Sequence, residues 1–201
     1  SSHELASRAG VEILKNGGNA IDAAIATGFA LSVVHPGAGN IGGGGFMVIR
    51  LADGTVTTID FREVAPSGAH RDMFLDDSMN VIEGKSWNTA WAAGVPGSVA
   101  GFGMAHEKYG SANWRDLIKP DVELASNGFP LDYQNMMYFN HPYYQEYLST
   151  DTESAKIFSK EEPFTLYQTF IQDDLGKTLE RIANNGWAEF YNGKTASMIE
   201  K

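Results

Sequence analysis

The sequence predicts a mixed α/β chain of the α+β kind with a helix-rich C-terminal half, and three observations carry that prediction. Ala20–Val34 is apolar nearly all round, which is the pattern of a helix buried between layers. Residues 46–51 and 55–61 are rich in β-branched and aromatic side chains, and Asp53-Gly54 between them is a hairpin turn signal. From Ser98 onward helical periods and cap residues dominate, most clearly at 173–184, where Leu175, Leu179 and Ile182 share one side.

The elements follow in order. Glu4–Lys15 reads as an amphipathic helix, with Leu5, Ala6, Ala9, Ile13 and Leu14 against Glu4, Arg8, Glu12 and Lys15, and Asn16-Gly17-Gly18 supplies its stop. Asn19 then caps the apolar helix, and Asp22 sits in the first turn, near the positive end of the dipole. Packing of that helix under a sheet implies that leucine at Ala24 or Gly28 would overfill a tight layer. His35-Pro36-Gly37 ends it and opens a glycine loop, and after the hairpin Pro66 closes the second strand. Residues 67–86 read as a polar surface loop and 86–93 as a strand. Gly94-Val95-Pro96-Gly97 turns into a helix over Ser98–Tyr109. Asn113 with Asp116 caps a short helix ended by Pro120, which starts a further helix over 120–127 closed by Gly128. Helix is placed over 131–147, and a last turn or two over 193–200.

The chain has 201 residues, the size of one domain or a fragment of a larger one. Its formal charge of −10 argues against a nucleic-acid or anionic-membrane partner. Without cysteine there are no disulfides, thiolate metal sites or cysteine nucleophile. His3, His35, His70, His106 and His141 show no metal-ligand spacing, so no metal site is expected. No run approaches the length of a membrane span, and no signal peptide is read at Ser1, although a mature fragment would have lost one.

Two features could carry chemistry. Gly42, Gly43, Gly44 and Gly45 let backbone pass where a Cβ would block it, either as a structural loop beside a packed helix or as a phosphate cradle. The second is weakened because no Lys-Ser or Lys-Thr follows and a strand comes next. Arg62, at the end of the second strand, is either the ion-pair partner of Glu63 or a fork of donors for a substrate carboxylate. Ser1 is a formal candidate N-terminal nucleophile.

The glycine run with FMVIR, the hairpin and REVAP resembles the γ-glutamyltransferase (γ-glutamyltranspeptidase) family of N-terminal-nucleophile hydrolases. The resemblance extends to SSHELASRAGVEILKNGGNAIDAAIATGFALSVVHP, AAGVPGSVAGF, PDVELASNGFPL and DDLGKTLERIANNGWAEFYNGKTASMIEK, and it is weak only over about 132–171. It implies that residues 1–201 are the N-terminal part of the large subunit, within a four-layer αββα sandwich. It also implies γ-glutamyl transfer or hydrolysis, glutathione as donor and no cofactor. Arg62 would hold the donor's α-carboxylate, and Glu63 and Gly42 to Gly45 would shape the pocket.

The same resemblance places the nucleophilic threonine at the start of a small subunit, outside this sequence, so no catalytic residue is expected here and the small subunit or C-terminal remainder of the precursor is the expected partner. The compartment it implies is periplasmic, extracellular or membrane-anchored. Two alternatives stay open: a related acylase or poly-γ-glutamate transpeptidase, and a non-catalytic γ-glutamyl-binding module.

Overall fold

The structure, a computed structural model, describes residues 1–87 and 89–200. The chain divides into two compact units, one of residues 1–40 and 105–201 and a smaller one of residues 41–104.

In the larger unit, α1 (Glu4–Lys15) packs on α2 (Ala20–Val34), and α2 packs on α4 (Trp114–Asn127), which in turn packs on α8 (Asp173–Asn185). The α1–α2 approach is close because Gly10 faces Thr27 Oγ1 and the Ala23 carbonyl, where a Cβ would collide. Ile25, Ala26, Phe29, Ala30, Val33 and Val34 of α2 are buried, as an all-round apolar helix requires. Ala24, in contrast, is exposed, so the tight layer lies at Ala23, Ala26 and Ala30 rather than at Ala24.

Asn19 and Asp22 form a capping box on α2: the Asn19 side chain accepts from the Ile21 and Asp22 N–H groups, and the Asp22 carboxylate accepts from the Asn19 N–H at 2.9 Å. Asp22 also ties down the segment before α4, accepting from Ser111 Oγ at 2.7 Å and from the Ser111 and Ala112 N–H groups. Burial by itself pushes the Asp22 carboxyl up, but the Ser111 hydroxyl and the Asn19, Ser111 and Ala112 N–H groups outweigh it and hold the group below the ordinary carboxylate value.

Three sequence expectations are corrected here. Pro120 lies inside a continuous α4 and does not divide it. The hydrogen bond it removes is offset because Leu117, Ile118 and Ala125 form one buried stripe across it. The helix expected over 131–147 is two, α5 (Tyr133–Asn140) and α6 (Pro142–Leu148), because His141 precedes a proline and takes an extended conformation (φ −72°, ψ 126°). A further helix, α7 (Thr152–Phe158), and the short pair β3 (Phe129–Pro130) and β4 (Thr169–Phe170) complete this region, with α9 (Glu189–Asn192) and α10 (Lys194–Ile199) at the end. The third correction concerns 86–93: its described residues form a turn and one 3-10 turn, Ala90–Ala92, rather than a strand, and Asn88 lies outside the described residues.

Asp121, on the buried face of α4, is fully enclosed, and neither carboxylate oxygen has a hydrogen-bond partner among the described residues. Burial pushes its carboxyl well above the ordinary value. A raised folded-state pKa leaves stability complete below the unfolded value and removes it as pH rises towards the folded one. Asp121→Ala should therefore raise stability by about 1–3 kcal/mol at pH 7, and the gain should shrink below pH 4; urea unfolding at pH 7 and pH 3.5 measures both.

The smaller unit is built on the antiparallel pair β1 (Phe46–Arg50) and β2 (Val56–Asp60), with Phe46 opposite Asp60 and Arg50 opposite Val56. The turn is closed by Leu51 N–H to the Thr55 carbonyl at 2.8 Å, with Gly54 at φ +90°. Ile49 and Ile59 are buried on one face, while Phe46, Val48 and Val56 on the other face are 64%, 73% and 61% exposed. The helix α3 (Ser98–Tyr109) begins in this unit and ends in the larger one.

Candidate functional site

Arg62 follows directly on β2, and the backbone around it is fixed from three directions. The Asp60 carboxylate accepts the Arg62 N–H at 3.0 Å, turning the chain out of the strand. Two residues on, Val64 and Val95 exchange backbone hydrogen bonds of 3.3 and 2.8 Å. From the third side Gly44 and Gly97 press on the Phe61–Glu63 backbone at distances no Cβ would allow. The backbone that carries the side chain is thus fixed before any ligand binds. Gly97→Ala should therefore displace the arginine, lowering the affinity for a carboxylate ligand and stability together, by about 1–3 kcal/mol in the latter; isothermal titration and urea unfolding of the same variant check the two losses.

The glycines divide the work. Gly43 turns its carbonyl to the first turn of α3, accepting from the Gly97 and Ser98 N–H groups at 2.7 and 2.9 Å and so satisfying donors a helix start leaves open. Gly45 extends the β1–β2 ladder by pairing with Phe61, and Gly44 packs on the segment that carries Arg62. Gly42 alone of the four borders the cleft into which Arg62 opens. In this chain the run is thus mainly backbone packing next to the arginine.

Arg62 Nε donates to Glu63 Oε2 at 3.2 Å, and its guanidinium carbon stands 5.8 Å from the centre of the Phe46 ring. Among the described residues no acceptor engages the terminal Nη nitrogens, and the side chain is 65% exposed. The ion pair and the carboxylate fork are therefore compatible: Glu63 orients one edge of the guanidinium and the other remains open. That edge suits two parallel hydrogen bonds to a planar anion.

The cleft holds about 530 Å3, and beyond Arg62, Glu63 and Gly42 its wall is apolar, formed chiefly by Met73, Phe74 and Trp91. The Lys85 ammonium lies 5.0 Å from the centre of the Trp91 ring. These wall residues were not foreseen from the sequence; the signal was the pair Met73-Phe74 inside a stretch otherwise polar enough to read as surface loop. A larger groove of about 830 Å3 lies in the other unit, floored by Leu5, Ala9, Ile13, Pro120 and Leu124, but it contains none of the residues of the glycine–REVAP stretch. Ser1 is also in that unit, where its amino group donates to Ser7 Oγ at 3.0 Å. Among the described residues, no three His, Asp or Glu side chains converge as a metal-holding group, and no helix is long and apolar enough to cross a membrane.

Comparison with known proteins bears on this arrangement. The sequence profile of the gamma-glutamyltranspeptidase family matches residues 6–201. The chain is 48% identical over 195 residues to the glutathione hydrolase proenzyme of Escherichia coli K12, covering 96% of this chain and 33% of that protein. It superposes on the crystal structure of Helicobacter pylori gamma-glutamyltranspeptidase with a TM-score of 0.94 and 46% identity, covering all of this chain and 57% of that one. A third likeness is to the Bacillus anthracis transpeptidase enzyme CapD, with a TM-score of 0.79 and 34% identity over 100% of this chain and 62% of that one. The chain thus spans about one third of the length of the curated relatives it matches.

Proposed function

Because this chain belongs to the γ-glutamyltranspeptidase family, within the N-terminal-nucleophile hydrolases, we propose that it supplies the donor-binding side of a γ-glutamyl hydrolase and transferase acting on glutathione or a similar γ-glutamyl compound. In this reading Arg62 grips the donor's α-carboxylate, and Glu63 holds the guanidinium in the orientation that exposes its free edge. The observation that carries it is that edge: a guanidinium with one side paired, the other without a partner among the described residues and open to a cleft, on a backbone pinned from three directions.

The nucleophile belongs to residues outside this chain. A threonine hydroxyl activated by its own α-amine attacks the γ-carbonyl, the amine portion leaves, and water or a second amine resolves the acyl-enzyme. Arg62 contributes before the bond breaks, by fixing the donor so that its γ-carbonyl meets the nucleophile. The exposed apolar face of Phe46, Val48 and Val56 supports a partner of the same precursor, since a sheet face of that kind is normally covered, and its cover here completes the four-layer sandwich. The likeness to the transpeptidase supports a second reading, transfer to an amine in preference to water, in which Arg62 keeps its role. The compartment proposed on family grounds is periplasmic, extracellular or membrane-anchored.

The test is turnover of a γ-glutamyl anilide by the complete processed protein and by residues 1–201 alone. The first is expected to release the aniline with saturation and the second to release none. Saturable turnover by the 201-residue chain, or none by the complete protein, would contradict the assignment.

A further inference from the structure

The α end of a γ-glutamyl group carries a carboxylate and an ammonium, both of which call for charged or polar partners, and the methylenes behind them are few. Such a group can occupy the Arg62 end of the cleft, but it leaves the apolar wall of Met73, Phe74 and Trp91 uncovered. The cleft, at about 530 Å3, is within the range of sites that enclose ligands considerably larger than one amino acid. Trp91 is 59% exposed, so much of its aromatic surface is open even with the Lys85 ammonium lying over the ring.

We propose that Trp91, with Met73 and Phe74, forms the subsite for the amine side of the reaction, selecting leaving groups and acceptors that carry an aromatic or bulky apolar side chain. This rests on Arg62 holding the donor's α-carboxylate: with that end anchored, the part of the substrate left to meet the wall is the part attached through the γ-amide.

One subsite serves both amines. When the acyl-enzyme forms, the nucleophile's oxygen bonds to the γ-carbonyl carbon, the C–N bond breaks, and the amine leaves with the proton given up by the hydroxyl; when an acceptor resolves it, a new C–N bond forms, the C–O bond to the nucleophile breaks, and the proton lost by the amine passes to that oxygen. By microscopic reversibility the incoming nitrogen occupies the place the outgoing one left. Water needs no wall, so hydrolysis of the acyl-enzyme is indifferent to Trp91.

The experiment uses the complete processed enzyme with γ-glutamyl methylamide as donor, whose leaving amine is too small to reach the wall, and compares phenylalanine amide with glycine amide as acceptors. In Trp91→Ala the ratio of kcat/KM for phenylalanine amide to that for glycine amide should fall about tenfold, while Trp91→Phe should restore it to within about threefold of the parent. Donor hydrolysis is measured in the same variants as the reference against which the acceptor ratio is read. A ratio that does not move in Trp91→Ala, or an equal loss on both acceptors, overturns the subsite. Arg62→Lys run in parallel separates the two claims: if it lowers donor kcat/KM while the Trp91 ratio stays fixed, the subsite fails alone, and if it leaves donor kcat/KM at the parental value, the carboxylate reading beneath it fails.

Discussion

Arg62→Lys in the complete processed enzyme is expected to lower kcat/KM for a γ-glutamyl donor by about 10- to 150-fold, because a lysine ammonium offers a point charge where the guanidinium offers two parallel hydrogen bonds, and a hydrogen bond to a charged group contributes roughly 1.5–3 kcal/mol. Arg62→Ala should lose more. It also frees Glu63, whose carboxylate accepts from Nε in the parent and would then face the same anion. Neither substitution should stop autoprocessing, since a peptide bond in the precursor presents no free α-carboxylate to hold. Steady-state kinetics on both variants, with the processed subunits resolved by gel, gives the two readouts together.

The second large effect is structural. Asp22 joins the start of α2 to the residues before α4, and its fully buried carboxylate accepts from the Asn19, Ser111 and Ala112 N–H groups and the Ser111 hydroxyl, all of which lose their acceptor when it is removed. Asp22→Ala should cost about 3–4 kcal/mol in urea unfolding, well above the effect of an exposed acid. The pH dependence has a definite sign. A carboxyl whose folded-state value is depressed contributes stability above its unfolded value, near 3.8, and loses that contribution as pH falls through the folded value. The gap between parent and Asp22→Ala should thus be widest near neutrality and narrow below pH 4. A gap constant from pH 7 to pH 3 would mean that the carboxylate's charge contributes nothing.

The hairpin and the position of Arg62 were legible because local rules decide them. Alternating β-branched residues around Asp53-Gly54 fix a register, and the strands end within one residue of the boundaries read from the sequence. The cap at Asn19 was equally local, although the reach of Asp22 to Ser111 was not, since a partner so distant in sequence leaves no periodic trace. Misreadings arose where tertiary packing overruled a local signal, as at Pro120 within α4, or where a local signal was passed over, as at His141 before Pro142. Trp91 and Met73 escaped notice because their role depends on two loop segments meeting beside β2, and Asp121 because a carboxylate on a helix reads as solvated until its enclosure is known.

The central claim, that Arg62 recognises the donor's α-carboxylate, is tested most directly by a cycle that pairs the substitution with removal of the group it is said to hold. A γ-glutamyl donor and its analogue lacking the α-carboxylate are each assayed with the parent enzyme and with Arg62→Ala. The parent should discriminate strongly against the analogue, and Arg62→Ala should lose most of its activity on the full donor while losing little more on the analogue, so that the two losses do not multiply. Independent, multiplying losses would contradict the account and leave Arg62 as the ion-pair partner of Glu63 and nothing more.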